Sequence, residues 1–157
     1  MSVLEIHTAG DPVLKTVCDP VARVDKKIRR TLKDMADTLY ASHNGIGLAA
    51  PQVGILKRLV VIDLQDGSGL LELVNPVITK KEGSQIGTEG CLSVPNFEGD
   101  VERATYVEVE YKDGKGQPQF LKADGLLAVC LQHELDHLDG ILFTDKAVTI
   151  MPKDPDE

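Results

Sequence analysis

The sequence predicts an α+β fold, and two observations carry that prediction. One capped amphipathic helix lies near the start and a second helix near the end. Between them runs a series of short strands with no regular βαβ alternation. A chain of 157 residues suits one compact core, so residues 1–150 read as a single domain and 151–157 as a tail.

The elements follow in order. Asp25, just after Val24, is an N-cap for a helix running to about Ser42. Ile28, Leu32, Met35, Ala36, Leu39 and Tyr40 recur on one face of it at helical spacing, which marks a core-packing helix. The stretch Gly45-Ile46-Gly47-Leu48-Ala49-Ala50-Pro51-Gln52-Val53-Gly54 is too rich in glycine for an ordinary helix or strand. Strands are expected at Arg58–Asp63 and Leu70–Ile78. Thr105–Lys112 is clearer, with Val107, Val109 and Tyr111 alternating against Glu108 and Glu110. Gly114 and Gly116 mark a turn, after which Gln119–Lys122 pairs back as a hairpin. The last helix starts at Asp124 and runs through Leu138, with Gly140 as its stop signal. Met151–Glu157 places two prolines among acids and reads as a frayed end.

Composition narrows the function classes. The formal net charge is −8 and the basic residues form no single patch, which argues against a phosphate-tracking nucleic-acid surface. No apolar run approaches the roughly 18–20 residues needed to cross a bilayer. The first residues carry no basic segment followed by an apolar one, so the expected location is cytoplasmic, whether bacterial or viral-host cytosol, or an organelle matrix. Three scattered cysteines, Cys18, Cys91 and Cys130, are too few for a disulfide framework.

Chemistry concentrates in the last helix, at His133-Glu134-Leu135-Asp136-His137. Two histidines four apart share a helix face, so both imidazoles can reach one cation. Glu134 is offset by one residue, where its carboxylate can meet a reacting water without being a ligand. A helix with two surface histidines in salt bridges is the bland alternative.

A catalytic site usually takes three protein ligands. Downstream of His137 there is no His or Cys, and Phe143 stands where one large metalloprotease class has its third histidine. Cys130 shares the histidine face, but its Cα lies roughly 7–8 Å along the axis from the midpoint of the pair, too far for so short a side chain. Packing beside the site suits it better. Cys91, in Glu89-Gly90-Cys91-Leu92-Ser93-Val94-Pro95, is the stronger candidate, because glycine before and proline after it suggest a fixed, irregular backbone. Cys18 reads as structural, and His7 and His43 as ordinary surface or core histidines.

Three segments together resemble the peptide deformylase family: Gly45–Gln52, Glu89–Ser93 and Gln132–Gly140. They occur in the family's order, and the likeness extends from the N-terminus to about Asp145. The resemblance implies mixed, mainly antiparallel sheets packed around a central metal-binding helix. It implies one catalytic domain that removes the formyl group from the initiator methionine of nascent polypeptides and releases formate. It makes Cys91, His133 and His137 the metal ligands, Glu134 the catalytic carboxylate, and the Gln52 side chain with the Leu92 N–H the oxyanion donors. The metal is expected to be one divalent ion, Fe(II) first, with Zn or Ni as alternatives, because such a ligand set suits several metals. An extended N-formylmethionyl peptide would hydrogen-bond along Ile46 and Gly47, with Ile46, Leu126, Val129 and Cys130 around its methionine; plain core packing is an equal reading of those four.

Two departures stand out. Glu98 occupies a position where relatives often carry Arg or Tyr, which bears on the downstream peptide. Many bacterial relatives also continue into a long C-terminal helix, so a ribosome as partner has only weak support here. The competing readings are another metallohydrolase, which leaves Gln52 and Cys91 unexplained, and a structural metal site, which demands a fourth protein ligand.

Overall fold

The computed structural model describes residues 2–42 and 45–153; the expectation for His43 lies outside them. Helix α1 spans Lys26–Ala41, and Asp25 caps it by accepting the Ile28 N–H at 2.9 Å. Leu32, Met35, Ala36 and Leu39 are buried as the spacing predicts. Tyr40 is the exception. It is exposed, and its hydroxyl donates to Asp63 Oδ2 at 2.6 Å, because it sits at the edge of the stripe where its polar tip reaches water.

Among the described residues, eight strands form two sheets, and every neighbouring pair within them is antiparallel. The larger has the order β1-β2-β3-β6-β7, from Gly47–Ala49, Leu59–Ile62, Leu71–Glu82, Tyr106–Lys112 and Pro118–Asp124. The smaller has the order β4-β5-β8, from Gln85–Cys91, Val94–Arg103 and Thr149–Pro152. Strand β2 explains how the larger sheet is buried. Val60 and Ile62 pack on the side of the last helix, while Leu59 and Val61 face α1. Covered on both faces, β2 reads as a continuous apolar run rather than an alternating one.

Helix α2, Gly125–Leu138, lies at the centre, with nine of its fourteen residues buried. It therefore lacks the one-sided stripe of a surface helix and carries polar residues into the interior. Gly140, at φ +75°, ends it; a Cβ there would stand 2.7 Å from the Lys15 backbone, so the left-handed glycine also admits the N-terminal segment. A short helix α3, Phe143–Lys146, follows and packs Phe143 under the smaller sheet with Leu14, Val94 and Val101.

Four sequence expectations need correction. The glycine-rich stretch does contain a strand, β1, followed by a 3-10 turn at Ala50–Val53. The segment around Cys91 lies within a hairpin of β4 and β5, with Cys91 opposite Val94, and its irregularity is a register shift between Glu89 and Cys91 rather than a loop. Strand β3 runs on past Ile78 to Glu82, held by backbone pairing with β6 despite its polar side chains. Met151 and Pro152, placed in the tail, pair with Glu98 and Phe97 as part of β8. Backbone ladders form without alternating side chains, so periodicity misses them.

Candidate metal centre

The central helix and the β4–β5 hairpin meet at one point. His133 and His137, a turn apart on α2, have ring centroids 5.2 Å apart. Strand β4 ends at Cys91, and the Leu92-Ser93 turn of the hairpin brings its Sγ to 3.3 Å from His137 Nε2. The three ligand atoms of Cys91, His133 and His137 lie within 4.8 Å of one another. Around a tetrahedral cation with bonds of about 2.0–2.3 Å, ligands sit roughly 3.3–3.7 Å apart, so this set closes on an ion with little movement. Among the described residues no fourth His, Cys, Asp or Glu joins them.

The histidines are held differently. His133 Nδ1 donates to Glu89 Oε1 at 2.8 Å, which turns Nε2 toward the site. Glu89 is gripped through both oxygens by Arg103, whose Nε and Nη2 each stand at 2.9 Å. Arg103 Nη1 reaches Asp136 Oδ2 at 2.6 Å, and Lys146 completes the chain at 3.0 Å from the same oxygen. Burial pushes the Glu89 carboxyl up, but the hydrogen bonds from Arg103 and His133 outweigh it and hold it at about 2. It is therefore an anion at any physiological pH.

Burial opposes charge on His133, but Cys91 and Glu89 raise it to about 10, so a cation must displace a proton there. His137 is pushed down to about 3 by burial, with the neighbouring His133 and Arg103 adding to it. A neutral imidazole with a free lone pair is what coordination requires.

Glu134 sits beside this group, 5 % exposed, with Oε1 lacking a hydrogen-bond partner among the described residues. Burial pushes its carboxyl up to about 7, with Glu89 adding to the rise and His133 and Arg103 opposing it. Strand β1 explains the tight fit: a Cβ on Gly47 would stand 2.7 Å from Glu134 Oε2 and 2.9 Å from Cys130 Sγ. Gln52 is buried on the other side of Cys91. Its Oε1 accepts the Ala49 N–H at 2.9 Å, which aims Nε2 at Ser93 Oγ, 3.1 Å away, and at Cys91 Sγ, 3.5 Å away.

A cavity of about 410 Å³ opens over these residues. Ile46, Gly47, Leu92, Leu126, Val129 and Cys130 line it with Cys91, His133 and Glu134. Gln52 is not in that lining, although its Nε2 stands 3.5 Å from the Cys91 thiol. Cys18 lies in the core and His7 pairs with Asp11, both outside the site. Sequence reasoning gave no part to the Glu89–Arg103–Asp136 relay. Two of its members stood inside the recognised motifs, and charges in such buried segments were the available signal. Lys153 on the cavity rim was also missed.

Comparison with known proteins gives concordant results. The family model described as polypeptide deformylase matches residues 3–153. A peptide deformylase of Acetivibrio thermocellus is 51 % identical over 154 residues, covering 98 % of this chain and 89 % of its own length. Among solved structures, a peptide deformylase from Synechococcus elongatus in complex with actinonin superposes with a TM-score of 0.88 at 51 % identity, over 93 % of this chain and 79 % of that one. The Thermotoga maritima peptide deformylase gives 0.90 at 35 % identity, over 95 % and 100 %.

Proposed function

Since this chain belongs to the polypeptide deformylase family, whose enzymes remove the formyl group from the N-terminal methionine of nascent peptides, we propose that Cys91, His133 and His137 hold its metal and that Glu134 moves the proton. The observation that carries this assignment is the convergence of one thiol and two imidazoles beside a buried, unpartnered carboxyl in one cavity. All of these residues belong to a single catalytic domain, which takes in β8 as well as residues 1–150.

A divalent ion on these ligands supplies Lewis acidity that makes water nucleophilic near neutral pH. The chain's own groups do the rest. Glu134, poised near neutrality, accepts a proton as water attacks the formyl carbon. Gln52 Nε2, which reaches Cys91 Sγ and Ser93 Oγ, and the Leu92 N–H would turn to the oxygen where negative charge grows, with the amide giving up those contacts to do so. Glu134 then gives its proton to the departing amine, and formate leaves. Strand β1 is an edge of the larger sheet, and Ile46 and Gly47 line the cavity, so the peptide can lie extended along them. Leu126 and Val129 on α2, with Cys130 and Ile46, surround the methionine side chain.

Of the candidate ions we take Fe(II) first and Zn or Ni next, since a thiolate with two imidazoles suits all three. The substrate is an N-formylmethionyl peptide, and a ribosome contact has only this substrate to support it. No helix among the described residues is long and apolar enough to cross a membrane, in keeping with a cytoplasmic place of work. Anaerobically prepared protein loaded with Fe(II) or Ni(II) should release formate from formyl-Met-Ala-Ser and leave the unformylated peptide intact. Cleavage of the unformylated peptide instead would favour a peptidase.

A further inference from the structure

Among the described residues, three carboxyl or ammonium side chains line the catalytic cavity, and one of these three is an ammonium. Glu89 is locked to Arg103 and His133, and Glu134 faces the reaction centre. The third is Lys153, half-buried at the rim. Its backbone is fixed, because its N–H donates to Asn96 O at 2.9 Å where β8 runs out along β5. Among the described residues no ion pair engages its ammonium.

Its position relative to the chemistry follows from strand register. Cys91 pairs with Val94, and Asn96 stands two residues farther along β5, roughly 7 Å at about 3.3 Å per residue. Pro95, between them, also lines the cavity. An extended peptide with its formyl group at Cys91 covers the same span in about two residues. For a peptide running along β5 from Cys91, Lys153 would face the segment just downstream of the methionine, and Leu126 and Val129 on α2 would wall the methionine itself.

We propose that Lys153 is a specificity residue, which favours formyl-methionyl peptides with an acidic side chain at the second to fourth position. The proposal rests on the deformylase reading of the site. Exposed charges interact weakly and are screened by salt, so the expected preference for Glu over Lys is about threefold to tenfold in kcat/KM at low ionic strength. It should reside mostly in KM and shrink at about 0.5 M salt.

The test walks Glu, Ala and Lys through positions two to four of formyl-Met tetrapeptides, with metal-loaded protein. The wild type should show the Glu preference at one or two positions. Lys153→Arg should keep it, Lys153→Ala should abolish it, and Lys153→Glu should reverse it. Each comparison is a ratio within one variant, so a general loss of activity does not mimic the effect. A Glu preference that survives in Lys153→Ala, or turnover of all peptides with no charge preference, overturns the role of Lys153 alone. Absence of formate from every formylated peptide would overturn the deformylase reading, and this role with it.

Discussion

Arg103 holds Glu89 through two parallel hydrogen bonds of 2.9 Å, and both side chains are almost wholly buried. The pair is a structural intermediary. By keeping Glu89 ionised, Arg103 keeps an acceptor in front of His133 Nδ1, and so fixes which ring nitrogen faces the site. Asp136, inside the histidine motif, ties the same guanidinium to α2. One relay thus joins hairpin and helix, the two elements whose meeting creates the metal centre.

Removing Glu89 should therefore weaken metal binding rather than chemistry. Glu89→Ala is expected to lower affinity about 10- to 100-fold, measured by competition with a chelator, with turnover restored by excess metal. Arg103→Ala should be worse for the fold, because it takes both guanidinium bonds from buried Glu89 and leaves Asp136 with Lys146 alone. A loss of about 3–5 kcal/mol in urea unfolding is expected, and an unchanged midpoint would show the ion pair to be dispensable.

Glu134→Ala should cut formate release by about a hundredfold to ten-thousandfold while the protein still binds its ion. Metal content by atomic absorption, measured on the same sample as the assay, separates the two effects. Retained turnover would remove Glu134 from the mechanism.

Gly47→Ala tests the closeness of β1 to that carboxyl. The new Cβ meets Glu134 Oε2 and Cys130 Sγ under 3.0 Å, so the carboxyl must shift. Displacement on the order of 1 Å is enough to cost about a hundredfold in kcat. Gly87→Ala on β4, where an added Cβ meets nothing within 4 Å, is the matched control and should stay active. Equal activity of the two variants would mean the strand yields without moving Glu134.

The thiols should differ sharply in reactivity. Cys18 is pushed up to about 11 and Cys130 well above its ordinary range, in both cases mainly by burial. Only Cys91 is partly open to solvent. Metal-free protein should label at Cys91 alone with iodoacetamide at neutral pH, and added metal should suppress that labelling. Peptide mapping that finds Cys91 equally modified with and without metal would detach it from the ligand set.

Gln52→Leu removes the amide beside Cys91 and leaves the volume nearly unchanged. A fall of about a hundredfold to a thousandfold in kcat with little change in metal content is expected from loss of one oxyanion donor. A change in KM alone would make Gln52 a packing residue.

What the sequence determined by itself is everything governed by short-range periodicity and capping. Asp25 and the Ile28–Leu39 stripe specify α1; the alternation of Val107 and Val109 specifies β6; His133 and His137 at four-residue spacing specify a two-imidazole face on α2. These depend on helical and pleated repeats, which act between residues a few positions apart. The flanking glycine and proline pointed to Cys91, and motif resemblance added Gln52 and Leu92, but neither gave their arrangement. Tertiary structure alone decided that Cys91, 46 residues from His137, would come to 3.3 Å from it. It also decided that Arg103 would bind Glu89 across the hairpin, and that Gly47 would press against Glu134. Such contacts are fixed by how two sheets pack on one buried helix, a sum over the whole core that leaves no local period in the chain.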